Sequence, residues 1–198
     1  MKKEEKRKAI IEKSFELFRE YGYHNTKVEE ITKALGISKG NFYTYFVSKE
    51  EVLYEILYIM RDEKKKILEK IDVEKEPKEV LREFIINNEN LFFKYFNRVN
   101  IQNMDNFLKD EKVVSHVEEM QKIEVNFIEK NIVKRSGIEK SGKYNSRFIA
   151  KFIFMSLEGF FLDEGLTEEY NLDFNMRHEL TRKEKINQII EFIYNAIK

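Results

Sequence analysis

Between residues 38 and 49 the chain sets Ser38, Lys39, Gly40, Asn41, Tyr43, Thr44, Tyr45 and Lys49 close together, with Phe42, Phe46, Val47 and Ser48 among them. Lysine ammonium and tyrosine hydroxyl groups suit phosphate oxygens, contacts that fix position on a duplex without reading its sequence. The Asn41 amide offers the paired donor and acceptor that an adenine edge matches in the major groove, and Lys39 suits guanine or phosphate. Gly40 removes a side chain where a helix must lie close to a phosphate. Thr26 and Lys27, just upstream, complete the candidate set. The chemistry of this set is noncovalent recognition of double-stranded DNA.

No comparable set supports catalysis. His24, His116 and His178 are far apart and none belongs to a metal-ligand pair such as H-E-x-x-H. There is no cysteine nucleophile and no glycine-rich phosphate loop, and carboxylates in a chain that is 36% charged are mostly solvated helix faces. The chain is therefore read as a non-enzyme with no metal and no cofactor.

Short helices must position the DNA-directed residues. Thr26 with Glu29 has the capping-box pattern, so a helix is expected from about Lys27. Val28, Ile31, Ala34 and Leu35 share its apolar face, and Gly36 allows the left-handed conformation that ends it. Ser38 caps a second helix whose inward side is Ile37, Phe42 and Phe46. Ser48 with Glu51 starts a third, whose free N–H groups near Lys49 add an anion site. Two short helices around a glycine turn form a helix-turn-helix, in which the second helix presents its N-terminal residues to base edges.

The rest of the chain reads as all-α. One Pro and seven Gly in 198 residues leave few hairpin signals. A first helix carries Ile10, Ile11, Phe15, Leu17, Phe18 and Tyr21 and ends near Gly22, after a mixed charge run, MKKEEKRK, read as a frayed solvated start. Val52, Leu53, Ile56, Leu57 and Met60 line a helix that turns charged at RDEKKK, where it leaves the head as a rigid connector. Pro77 suits the first position of another helix, NRVNIQNMDN breaks the pattern, and Lys112 to about Lys134 restores it. SGIEKSGK reads as a loop, residues 145 to 163 as a helix, Asp163 to Glu179 as a loop with at most one helical turn, and Thr181 with Glu184 caps a last helix. The expected organisation is a helix-turn-helix domain over 1–50 and a helical body over 51–198.

Formal charge is zero overall, but unevenly spread. Residues 1–50 hold 11 Lys and Arg against 8 Asp and Glu, which leaves 25 against 28 for the remainder. A weakly basic head on an acidic body fits DNA contact through one end. No apolar run approaches the roughly 20 residues of a membrane span, and no signal-peptide core opens the chain, so the expectation is a cytoplasmic protein.

The segment ITKALGISKGNFYTYFVSKEEVL resembles the signature of the tetracycline-repressor (TetR) family, and KAIIEKSFELFREYGYHNTKVEEI resembles its first helix and connecting turn. The likeness covers about the first quarter of the chain. Thr32 stands where alanine is common, and Thr44 where aromatic or larger polar residues are frequent, so base preference does not carry over. The resemblance implies a homodimeric regulator, favouring a repressor, that binds a palindromic operator and is released by a small, apolar ligand.

It further implies that the last two helices pack into a bundle with the partner. Phe152, Met155, Ser156, Gly159 and Phe160 on one helix and Ile186, Ile189, Ile190 and Ile193 on the other allow this, with Ser156 and Gly159 small enough for a crossing helix to come close. The same faces would equally cover the chain's own core. The implied effector pocket falls on Phe84, Asn88, Phe92, Phe96, Phe107, Met120 and Phe127, residues that would also serve as filled core. Release would follow if the ligand favours a dimer geometry whose recognition helices miss major grooves about 34 Å apart. The alternative from another class is a helical ligand-storage or protein-interaction domain with no operator.

Overall fold

The computed structural model describes residues 3–96, 110–138, 142–170 and 180–198, with backbone alone for Phe96 and residues 163–170. All regular structure among them is helical: α1 Lys3–Tyr21, α2 Val28–Leu35, α3 Lys39–Tyr43, α4 Lys49–Glu69, α5 Pro77–Phe96, α6 Glu111–Ile128, α7 Ser146–Tyr170 and α8 Arg182–Ile197. This is the expected all-α class.

Capping chemistry sets most boundaries. The Ser38 hydroxyl accepts from the Asn41 N–H at 3.1 Å and starts α3. At α8 the Thr181 hydroxyl accepts from the Glu184 N–H at 3.3 Å while the Glu184 carboxylate accepts from the Thr181 N–H at 2.8 Å, the reciprocal box read from the sequence. Gly36 stops α2 at φ 64°, a conformation that strains any residue with a Cβ.

Four boundaries differ from expectation. The cap of α2 is Lys27, whose N–H donates to Glu30 at 2.7 Å, because the Thr26 hydroxyl turns inward instead. The charged N-terminal run is helical from Lys3, anchored where Arg7 pairs with Glu55 at 2.8 Å and lies over the Phe46 ring. The segment after α6 passes through a π-helical turn at Glu129–Val133 before Lys134–Ser136 ends it. Residues 163–170 continue α7 rather than forming a loop, since Leu and Glu propagate an established helix even without an apolar period. The pattern break NRVNIQNMDN, part of the expected SGIEKSGK loop and residues 171–179 of the expected loop Asp163–Glu179 lie outside the described residues.

Contacts gather the chain into two compact units. One holds the described residues of Met1–Glu63 and Tyr95–Glu118, the other Lys64–Lys94 and Glu119–Lys198. The first unit is built on Ile10, Ile11, Phe18, Ile31, Phe42, Phe46, Val52 and Ile56, all buried. Phe42 and Phe46 serve as core, as their spacing indicates. The second is centred on Leu81, Phe84, Ile85, Ile128, Ile132, Ile153, Leu157, Phe161 and Ile190. There, Glu89 to Arg182 at 2.7 Å, Arg82 to Asn187 at 2.6 Å and Lys78 to Glu191 at 2.6 Å register α8 antiparallel to α5.

Candidate nucleic-acid interface

α2, the turn at Gly36 and α3 form the helix-turn-helix of the first unit. Phe42 holds α3 down, meeting Phe46 at 6.0 Å and the edge of Tyr43 at 5.4 Å between ring centres. With that side buried, Ser38, Lys39, Gly40, Tyr43 and Thr44 face solvent, and Tyr45 is half-buried. The Thr44 hydroxyl donates to the Gly40 carbonyl at 3.0 Å, so its oxygen remains available as an acceptor.

Gly40 has no intramolecular reason to be glycine. Its φ is ordinary, and a Cβ there would meet only the Ser38 hydroxyl, at 3.9 Å. Glycine inside a helix costs about 1 kcal/mol relative to alanine.

Other candidate residues are placed differently from the sequence reading. Thr26 is fully buried, its hydroxyl donating to the carbonyls of Gly22 at 2.9 Å and Leu17 at 3.2 Å; it fixes the turn between α1 and α2 and offers nothing to DNA. The Lys49 ammonium donates to the carbonyls of Tyr23 at 2.7 Å and Thr26 at 2.9 Å and sits 4.2 Å from the Tyr23 ring centre. Burial lowers its pKa, and its charge is committed to holding that turn. Asn41 is half-buried with its side-chain oxygen enclosed and unpaired, so the bidentate pose toward adenine requires a rotamer change. Lys39 is exposed but ion-paired with Glu29 of α2, whose carboxyl it holds below the usual range. Lys27 is exposed at the start of α2. Glu29 and Tyr23 were missed as partners because each pairing joins residues distant in sequence.

In the second unit, Phe84 stacks on Phe127 at 5.6 Å and Phe92 meets Phe161 at 5.8 Å. Asn88 is 4% exposed and Met120 is buried, whereas Phe107 and the Phe96 side chain lie outside the described residues. An open pocket of about 330 Å³ is lined by Lys65, Leu68, Glu69, Ile123, Asn126, Phe127, Lys130 and Asn131, and shares only Phe127 with the anticipated set.

The dimer candidates divide. Phe152 and Met155 are 60% and 57% exposed, and Ser156 and Gly159 are exposed beside them. Ile186 and Ile190 are buried in the chain's own core, and Phe160, Ile189 and Ile193 pack partly against it. The isoleucine row therefore faces inward. Phe148 and Phe192, at 66% and 76%, extend the exposed apolar surface of α7 and α8 and were missed.

Residues 10–56 match the family model of bacterial regulatory proteins, tetR family. The uncharacterized HTH-type transcriptional regulator YuxN of Bacillus subtilis is 53% identical over 53 residues, 27% of this chain and 18% of its own length. The chain spans 18% of the length of YuxN and 24% of that of the HTH-type transcriptional regulator RutR of Escherichia coli, which is 38% identical over 52 residues. A solved TetR-family regulator from Syntrophomonas wolfei shares the fold with a TM-score of 0.67 at 21% identity, covering 99% of this chain and 96% of its own. FadR from Bacillus subtilis, solved in complex with stearoyl-CoA, superposes with a TM-score of 0.66 at 18% identity over 96% of this chain and 99% of its own.

Proposed function

We propose that the chain is a DNA-binding transcriptional regulator of the tetR family, whose family model matches residues 10–56, rather than an enzyme, and that it is a repressor whose homodimer binds a palindromic operator and is released by a small apolar effector. The observation that carries the reading is Gly40, a glycine the fold does not need, on the exposed side of a capped recognition helix. Lys39, Tyr43, Thr44 and Tyr45 surround it as phosphate and base contacts, with Asn41 as a base reader after a rotamer change and Ser38 and Lys27 at the helix starts. A DNA partner supports a cytoplasmic location; among the described residues no helix is long and apolar enough to cross a membrane.

Homodimerisation draws support from α7. Phe148, Phe152 and Met155 are exposed together, and a Cβ on Gly159 would meet nothing within 4 Å. Contiguous apolar exposure of this kind marks an interface, and a second copy brings two recognition helices to a two-fold operator. The family resemblance supports an effector in the helical body, and FadR of Bacillus subtilis, which shares the fold, was solved in complex with stearoyl-CoA.

The test is fluorescence anisotropy with DNA from upstream of the chain's own gene, at two salt concentrations, beside a Lys39→Ala, Tyr43→Ala double variant. Tight binding over scrambled duplex, lost in the variant, is expected. Absence of selective binding both there and in a genome-wide selection of bound fragments sinks the operator reading.

A further inference from the structure

Phe42 defines which face of α3 points away from the protein, because its side chain is fully buried. At about 100° per residue, Asn41 and Tyr43 flank that anchor, whereas Gly40 and Thr44 each lie roughly 160° from it, on either side of the outermost line. Thr44 keeps helical backbone angles, φ −72° and ψ −23°, so the same spacing extends to it. Both residues are exposed. Gly40 contributes no side chain, which leaves Thr44 as the side chain at the centre of the outward face.

The fold also sets what Thr44 can offer. A threonine hydroxyl has one proton and two lone pairs. The Gly40 carbonyl can only accept, so the Thr44 hydroxyl donates its proton there, at 3.0 Å. What remains is an oxygen that accepts and does not donate. Its polar neighbours on α3 are committed otherwise: Lys39 is ion-paired with Glu29, and the Asn41 side-chain oxygen is enclosed.

The major groove displays two kinds of base edge. Adenine N6 and cytosine N4 carry amino hydrogens, while guanine N7 and O6 and thymine O4 carry lone pairs. A freely turning hydroxyl serves either kind. An oxygen whose proton is already held by Gly40 gains a hydrogen bond from the first kind and meets lone-pair repulsion from the second.

Resting on the proposed binding of DNA through α3, we infer that Thr44 determines specificity at one position of each half-site, where it selects a base bearing an exocyclic amino group. Adenine and cytosine share that chemistry; guanine and thymine are rejected. The selectivity comes from the bond between Thr44 and Gly40, one turn apart on the same helix, and not from threonine as a residue type.

Selection from a random duplex library with the full chain, in parallel with Thr44→Val and Thr44→Ser, tests the inference. Valine keeps the branched shape and removes the oxygen, whereas serine keeps the oxygen and its bond to the carbonyl four residues back. Thr44 is exposed, so neither replacement removes a packed side chain. Wild type and Thr44→Ser are expected to favour adenine or cytosine at one position per half-site by about fivefold or more over guanine and thymine. Thr44→Val should lose that preference while enriching the same bases elsewhere. Anisotropy with the enriched duplex then identifies the group that is read. Purine in place of adenine, or pyrimidin-2-one in place of cytosine, deletes the amino group and should weaken wild-type binding by the same factor while leaving Thr44→Val unaffected. A preference for guanine or thymine there, a pattern unchanged in Thr44→Val, or loss of the preference in Thr44→Ser overturns the inference and leaves operator binding standing. Enrichment of no sequence by the wild type overturns the operator reading, and the inference with it.

Discussion

The Lys49 ammonium donates to the main-chain carbonyl of Tyr23 at 2.7 Å while lying 4.2 Å from the centre of the Tyr23 ring. With its second bond, to the Thr26 carbonyl, it ties the start of α4 to the turn preceding α2. Lys49→Met should therefore destabilise the protein by about 1.5–3 kcal/mol in urea unfolding, the range for hydrogen bonds from a charged donor. Operator affinity should fall because α2 loses its footing, yet the salt slope should hardly change. A slope reduced by roughly one unit would instead make Lys49 a phosphate contact.

Glu29 is ion-paired with Lys39, so a phosphate contact by Lys39, as proposed, would have to compete with that pair. Neutralising it by Glu29→Gln frees the ammonium at the front of α3, so operator affinity should rise and the dependence of log affinity on log salt should steepen by about one unit. Anisotropy titrations across a salt series check this. Unchanged affinity and slope would mean that Lys39 does not reach phosphate.

The exposed face of α7 predicts the assembly state. Phe152→Glu puts a charge in the middle of the apolar patch, where an interface would have to bury it, and should convert the dimer to monomer in sedimentation while helicity by circular dichroism is retained. Ile190→Glu, by contrast, should unfold the body, because Ile190 is fully buried in its own chain. A Phe152→Glu variant that remains dimeric moves the interface elsewhere.

Glu124 couples stability to pH. Burial raises its folded pKa to about 7 from the 4.5 of an ordinary glutamate, so folding favours the protonated form. The contribution is complete below the unfolded pKa and is lost as pH rises through the folded one. Stability of the wild type relative to Glu124→Gln should thus fall between pH 4.5 and 7, at no more than about 1.4 kcal/mol per pH unit, and level off above. Urea unfolding across that range gives the difference directly, and a flat difference shows that Glu124 remains ionised in the folded chain.

Short-range chemistry was legible without coordinates. Ser38 with Asn41, Thr181 with Glu184, Gly36 and Pro77 each act within a turn of helix, so composition and spacing alone locate α2, α3, α5 and the start of α8. Where periodicity was the guide it identified apolar residues correctly but left their partners open. The isoleucines of α8 read equally well as dimer surface or core, and only packing shows Ile186 and Ile190 turned inward while Phe148 and Phe192 face out.

By itself the sequence determined the helical class, the helix-turn-helix with its exposed donors, and the absence of any spaced catalytic constellation, because these depend on hydrogen bonds and side-chain periods a few residues long. Tertiary structure alone decided which cations remain available and which polar groups are enclosed. Lys49 and Tyr23, Lys39 and Glu29, and Lys64 and Glu124 meet only after the chain has folded back on itself. Burial and charge pairing are properties of those meetings, and no local pattern records them.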